Sequence, residues 1–140
     1  MPKNILIVEE NPAVRATIRR LLATEADFRV CGESADGVDA ITKAKDLRPD
    51  LVLLGISMPK LNGAAAASII KRESPGIYVV MFTMYEDSVT ALAPAIGVDV
   101  VLSKSDGAHY LIRSLRELFQ SRSRPEENRI KPNSNPKSPM

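Results

Sequence analysis

The 140-residue chain has no tryptophan, and aromatic residues make up only 4% of it. A surface that stacks nucleic-acid bases on rings is therefore not expected. The single cysteine, Cys31, rules out an internal disulfide. It fits a reducing compartment and reads as a small buried apolar residue rather than a reactive thiol. The single histidine, His109, has no acidic or cysteine partner in helical register and reads as a surface residue. No apolar run approaches the ~18 residues that cross a bilayer. The opening Met1-Pro2-Lys3-Asn4 leads into Ile5-Leu6-Ile7-Val8 and then at once into acids. That run is too short for a signal-peptide core. The expectation is a soluble, cytoplasmic protein that makes no membrane contact.

The folded part also lacks a strong charge of either sign. The chain carries a net +2, yet residues 1–120 hold 14 Lys and Arg against 15 Asp and Glu. The surplus lies in residues 121–140, with five basic and two acidic residues. Four of the ten prolines are there, and Ile130 is the only aliphatic residue. Such a segment cannot bury enough apolar surface to offset its ordering entropy. It reads as a disordered tail or linker remnant. Its positives are scattered, interrupted by acids and without aromatics, so a solvated tail is favoured over contact with nucleic acid or lipid.

What is present is core-forming material: 44% of the chain is hydrophobic and 26% charged, enough for one folded domain over residues 1–120. Short runs rich in Val, Ile and Leu read as buried strands at Ile5–Val8, Phe28–Gly32, Leu51–Leu54, Ile77–Phe82 and Val98–Leu102. Helical spacing separates them. Val14, Ile18, Leu21 and Leu22 mark one face, and Val38, Ala40, Ile41 and Ala44 a second. A third helix begins near Asn62 and closes at Ile69-Ile70, its Ala64–Ala67 run suited to close packing on a sheet. Glu86–Ala95 reads as a fourth helical segment. Leu111, Leu115, Leu118 and Phe119 mark the last helix, with Asp106 as its expected N-cap. Strands alternating with helices predict an α/β fold of parallel β-α-β units, with helices on both faces of one sheet. The first, third and fourth runs are apolar on both faces and should be central. In such sheets the ligand crevice lies beyond the C-terminal strand ends.

Those ends read Glu9-Glu10, Gly55, Thr83 and Ser103-Lys104. With Ile5–Glu10, Pro49–Pro59, Asn62-Gly63, Met81–Asp87 and Leu102–Lys104, the chain resembles the response-regulator receiver domain of two-component signalling. The resemblance covers about residues 3–120. It is nearest to receivers that usually precede a helix-turn-helix domain. It implies a three-layer, doubly wound, flavodoxin-like sheet of order 2-1-3-4-5. It further implies that a histidine kinase donates a phosphoryl group to an Asp ending the third strand. Two acids ending the first strand, that Asp and a carbonyl two residues later would hold Mg²⁺, while the Thr and Lys contact the phosphoryl oxygens. In this chemistry the carboxylate is the nucleophile, and the metal and ammonium offset charge on the transferring oxygens.

Three departures set this chain apart from the pattern. Gly55 occupies the phosphoacceptor position, and no acyl phosphate can form on a residue without a side chain. The switch position, three residues before Lys104, is Val101, a stiff β-branched residue where the family carries an aromatic ring. Pro94 interrupts the fourth helical segment. Glu9, Glu10 and the Ser57 carbonyl then remain for a vestigial metal site. Because Mg²⁺ demands near-octahedral oxygens, weak binding at best is expected, and no resident cofactor. Lys104 is expected to pair with Glu9 or Glu10 across the pocket in preference to holding an anion.

The expectation is a non-enzymatic pseudo-receiver that binds a protein partner, a histidine kinase or another signalling protein, without phosphorylation. A homodimer is compatible with it, and sequence-specific DNA binding by this chain is not expected. The alternatives are the receiver part of a transcription regulator, a receiver phosphorylated on Ser57, Glu9 or Glu10, and a pocket that holds a small ligand or anion.

Overall fold

β-Branched and leucine-rich segments flanked by capped helices set the architecture. A computed structural model describes residues 1–55, 62–83 and 97–123, with Arg122 and Ser123 as backbone only. The expected fourth helical segment with Pro94, as well as Ser57 and residues 124–140, lie outside the described residues. Two compact units divide the chain, Met1–Asp106 and the part beginning at Gly107.

In the first unit β1 (Lys3–Val8) leads to α1 (Pro12–Ala23), β2 (Phe28–Ser34), α2 (Gly37–Leu47), β3 (Leu51–Leu54), α3 (Gly63–Glu73), β4 (Tyr78–Thr83) and β5 (Val100–Ser103). A 3-10 turn, Lys104–Asp106, follows β5. The sheet has order β2-β1-β3-β4-β5 and every adjacent pair is parallel. The three runs expected at the centre, β1, β3 and β4, are the three inner strands.

The strand order reverses after β2, and right-handed crossovers then carry α1 to one face and α2 and α3 to the other. Packing agrees. One buried cluster joins Leu6, Val8, Val52, Leu54, Val79 and Met81 of the sheet to Ala40 and Ala44 of α2 and to Ala66, Ala67 and Ile70 of α3. The alanines of α3 let helix and sheet approach closely, as the sequence suggests. Alternation turns Ile5, Ile7, Leu51, Leu53 and Val80 to the opposite face, and all five are buried. Each inner strand is thus apolar on both sides, as burial between two helical layers requires.

Helix starts are set by caps. Asn11 accepts from the amides of Ala13 and Val14 at 2.8 and 3.1 Å, and Pro12 takes the first helical position, where its missing N–H costs nothing. Asp36 caps α2 by accepting from Asp39 N at 2.8 Å, and Asn62 caps α3 through Ala65 N at 2.9 Å.

Several expectations are corrected. β2 runs two residues beyond Gly32, because pairing with β1 continues to Val8↔Ser34. β4 begins at Tyr78 and ends at Thr83, one residue later at each end than expected. β5 begins at Val100; Val98 is buried in the core cluster but precedes the strand. Val38 is 52% exposed, so the buried face of α2 is Ala40 and Ala44 with Ile41 packed beside them. Cys31 is half-buried, at the register shift of the edge strand β2.

The second unit contains α4 (Ala108–Ser123), in which Leu111, Ile112 and Leu115 are buried. It reaches three residues into the stretch read as tail. Asp106 is not its N-cap: it lies in the 3-10 turn, and Gly107, at φ 90°, leads into the helix. That backbone conformation favours glycine over a capping aspartate. His109 is exposed, as expected.

Candidate functional site

Parallel strands place their C-terminal ends at one rim. Glu9 follows β1, Gly55 follows β3, Thr83 ends β4 and Lys104 follows β5. Gly55 N donates to Val8 O at 3.0 Å, so position 55 lies directly against the end of β1. Thr83 and Ser103 are register partners. Both are buried, although both carry hydroxyls.

Among the expected site residues, Glu9, Gly55 and Lys104 come together. Lys104 Nζ donates to Glu9 Oε1 at 3.1 Å, the expected pairing across the pocket. Its partner is Glu9 and not Glu10. Adjacent residues at a strand end point to opposite sides, so Glu9 is 8% exposed, whereas Glu10 faces solvent. A Cβ placed on Gly55 would lie 3.1 Å from the same Glu9 Oε1. The glutamate, one methylene longer than an aspartate, therefore reaches into the space beside position 55. Val101 is half-buried and packs against the core cluster on the α2/α3 side. Thr83 stands one strand beyond Gly55, at the end of β4.

Three further residues build the site. Asn11 N donates to Glu9 Oε2 at 3.1 Å, so each carboxylate oxygen of Glu9 has a donor. Arg15 Nη1 donates to Glu9 O at 2.7 Å, and its Nε reaches Glu33 Oε1 at 3.2 Å, which holds the Glu9 backbone between α1 and β2. Ser103 Oγ is 2.6 Å from Ser105 Oγ and accepts from Ser105 N at 3.2 Å, a contact that shapes the turn carrying Lys104. Asn11 was not singled out in the sequence, although Asn-Pro ahead of an apolar helical period is a helix-start signal. Arg15 was not legible, since nothing in a one-dimensional pattern reports that a guanidinium reaches back to a carbonyl six residues earlier.

Chemically the rim offers an ammonium held by a carboxylate, with buried hydroxyls nearby and no side chain at position 55. A divalent cation fits it poorly. Among the described residues no group of three or more His, Cys, Asp and Glu could hold a metal ion. Both oxygens of Glu9 already accept hydrogen bonds. The Ser57 carbonyl lies outside the described residues. No helix among the described residues is long and apolar enough to cross a membrane.

Similarity to known proteins follows the same lines. Residues 5–116 match the family described as "Response regulator receiver domain". The response regulator protein VraR of Staphylococcus saprophyticus is 36% identical over 124 residues, covering 88% of this chain and 59% of that protein. VraR of Staphylococcus epidermidis is 37% identical over the same length and shares. The chain thus spans about 59% of the length of these curated relatives. Among solved structures, a LuxR-family two-component response regulator from Aurantimonas sp. superposes with a TM-score of 0.79 at 26% identity, covering 84% of this chain and 85% of that one. A CheY-like receiver domain from Methanospirillum hungatei gives 0.81 at 21% identity over 89% of this chain and 99% of the other, a likeness of fold.

Proposed function

The chain belongs to the response regulator receiver domain family, and we propose that it serves two-component signalling as a pseudo-receiver, contacting a histidine kinase or another signalling protein without being phosphorylated at the end of β3. The observation that carries this reading is Gly55. At the strand end where the family resemblance locates the phosphoacceptor, the chain has no nucleophile, and the nearest carboxylate, Glu9, is engaged by Lys104 at 3.1 Å. Attack on phosphorus requires a carboxylate oxygen placed in line with the leaving group, and position 55 supplies none. Val101 supports the same reading, because an aliphatic residue at the switch position has no ring to relay a movement of Thr83.

Receiver domains are in general signalling modules and not enzymes, and they bind Mg²⁺ weakly at the phosphorylation site. In this chain the remaining ligands would be Glu9, Glu10 and the Ser57 carbonyl, and we propose that they hold the ion weakly at most. The test is incubation of the full chain with acetyl phosphate and Mg²⁺, followed by intact-mass measurement. The expected result is no adduct. A stoichiometric phosphoryl adduct labile to hydroxylamine would overturn the reading, and a phosphopeptide map would assign it to Glu9 or Glu10. A hydroxylamine-stable adduct at Ser57 would equally replace it.

The second reading is favoured by the coverage of the relatives. One similar solved structure is described as a DNA-binding response regulator of the LuxR family from Staphylococcus aureus. This chain would then act as the receiver part of a transcription regulator. Under either reading a footprint by the 140-residue chain is expected to show no sequence-specific protection, and protection of a defined site would contradict both.

A further inference from the structure

Three features meet at the rim: a missing side chain at 55, a glutamate at 9 and a lysine at 104. Their geometry makes them one device. Oε1 of Glu9 lies 3.1 Å both from Lys104 Nζ and from the point where a Cβ of residue 55 would begin. That separation is closer than a side chain at 55 ordinarily keeps, so the carboxylate of Glu9 occupies the entrance that a residue-55 carboxylate would use. Its other oxygen takes Asn11 N at 3.1 Å, and Arg15 fixes the Glu9 carbonyl at 2.7 Å. Glu9 is thus held from both ends while it reaches across from β1. The charges balance locally, one ammonium against one carboxylate, in a pair whose side chains are 26% and 10% exposed.

We infer that Glu9 replaces the carboxylate missing at position 55 as the counter-charge of Lys104, so that the rim carries its own internal cation and is closed both to a metal ion and to a phosphate-like anion. The inference rests on the pseudo-receiver reading for what is missing at 55. Its content is different: it names the group that fills the gap and the ligands that this excludes. A metal at Glu9 would have to displace an ammonium already within hydrogen-bond distance. An anion at Lys104 would have to displace a carboxylate anchored by a main-chain amide. Each displacement gives up an existing charge-assisted bond for a new one.

The test reads Lys104 directly and uses no phosphodonor. The full chain is treated with an amine-acylating ester, and the acylation rate of Lys104 is compared with that of the exposed Lys45 by peptide mass spectrometry. Glu9→Gln keeps the shape and removes the charge. It should speed acylation of Lys104 relative to Lys45 by about two- to fivefold, the range expected for loss of a pair of this exposure. Glu10→Gln should leave the ratio unchanged. In parallel, inorganic phosphate should raise the Tm of Glu9→Gln but not that of the wild type, since a ligand selective for the folded state stabilises it by mass action.

Equal Lys104 rates in wild type and Glu9→Gln would overturn the inference, as would release of Lys104 by Glu10→Gln. A wild-type Tm that rises with Mg²⁺ or with phosphate would also overturn it. Should Glu9→Gln fail to fold, Gly55→Ala supplies the second arm. Its Cβ crowds Oε1, and it should raise the Lys104 ratio in the same direction by a smaller factor; no rise would count against the inference. A wild-type adduct with acetyl phosphate would refute the pseudo-receiver reading while leaving the Lys104 result to stand or fall by itself.

Discussion

The two rims of this one sheet each carry a lysine–carboxylate pair, and the pairs do different work. At the N-terminal rim Asp99 Oδ2 accepts from Lys71 Nζ at 2.8 Å and also from Val79 N at 2.8 Å. Lys71 further donates to Ile77 O at 2.9 Å. Beside them Asp50 Oδ2 accepts from Asn4 N at 2.7 Å, while its own backbone pairs with Asn4 O and Tyr78 N. These acids are bonded to main-chain amides of neighbouring strands, and they finish the ladder where it would otherwise leave donors unpaired. At the C-terminal rim Glu9 bonds to the side chain of Lys104 across a gap left by Gly55. The lesson is that an acid at a strand end is classified by what it accepts. Bonds to the adjacent strand's backbone mark a structural group, and a bond across a side-chain gap marks a pocket.

The comparison presumes one core that supports both rims, and the largest expected effect tests that. Leu6 is fully buried in the cluster between β1, α2 and α3. Leu6→Ala should cost about 2–5 kcal/mol in urea unfolding; a loss under 1 kcal/mol would mean the rims are held by something else. Next comes the structural rim. Asp99→Ala strips Val79 N of its acceptor and Lys71 of its carboxylate, and should cost about 1–3 kcal/mol. The pocket rim should yield less, because Glu9→Gln leaves an amide oxygen to accept from Asn11 N or Lys104 and strands no main-chain donor, so about 1 kcal/mol or less is expected. If the two substitutions cost the same, the distinction between the rims fails.

Gly55→Ala sharpens the contrast further. The new methyl crowds the carboxylate of Glu9, which must give by a few tenths of an ångström, while alanine restricts the unfolded chain. The two effects oppose each other, and thermal unfolding should show a net change under about 1 kcal/mol. The smallest effect lies away from both rims, at Cys31. Desolvation raises its thiol pKa above the ordinary value. The folded state therefore favours the neutral thiol. The stability this contributes is complete below the unfolded-state pKa and is lost as pH rises through the folded value. Alkylation of native Cys31 at pH 8 should run slower than in the urea-unfolded chain; an equal rate would contradict the shift.

Much of the fold was legible before any coordinates. Ile5–Val8 and Leu51–Leu54 are apolar on both faces, which only an inner strand of a covered sheet requires, and both lie inside. The pairing of Lys104 with a first-strand acid was legible too, because removing a carboxylate at 55 leaves an ammonium seeking one. Edge features were less legible. Ser34 prolongs β2 because β1 still offers ladder positions there, a tertiary reason that its own polarity conceals. Val98 carries a strand-like side chain yet precedes β5, since burial in a core does not require a ladder. Val38 fits the helical period of α2, but the core is met by Ala40, Ile41 and Ala44, and the Val38 side chain meets solvent.

Composition and order alone determined that no carboxylate stands at 55, that the chain alternates strand and helix, and that acids, a threonine and a lysine end successive strands. Local chemistry suffices there: a glycine has no nucleophile wherever it lies, and period-two and period-3.6 patterns are written residue by residue. Only the folded sheet decided that Lys104 meets Glu9, 95 positions away, while Glu10 faces water, and that the glutamate extends beside Gly55. Strand register and the pleat set those separations to within a few ångströms, and both are fixed by packing on two faces at once.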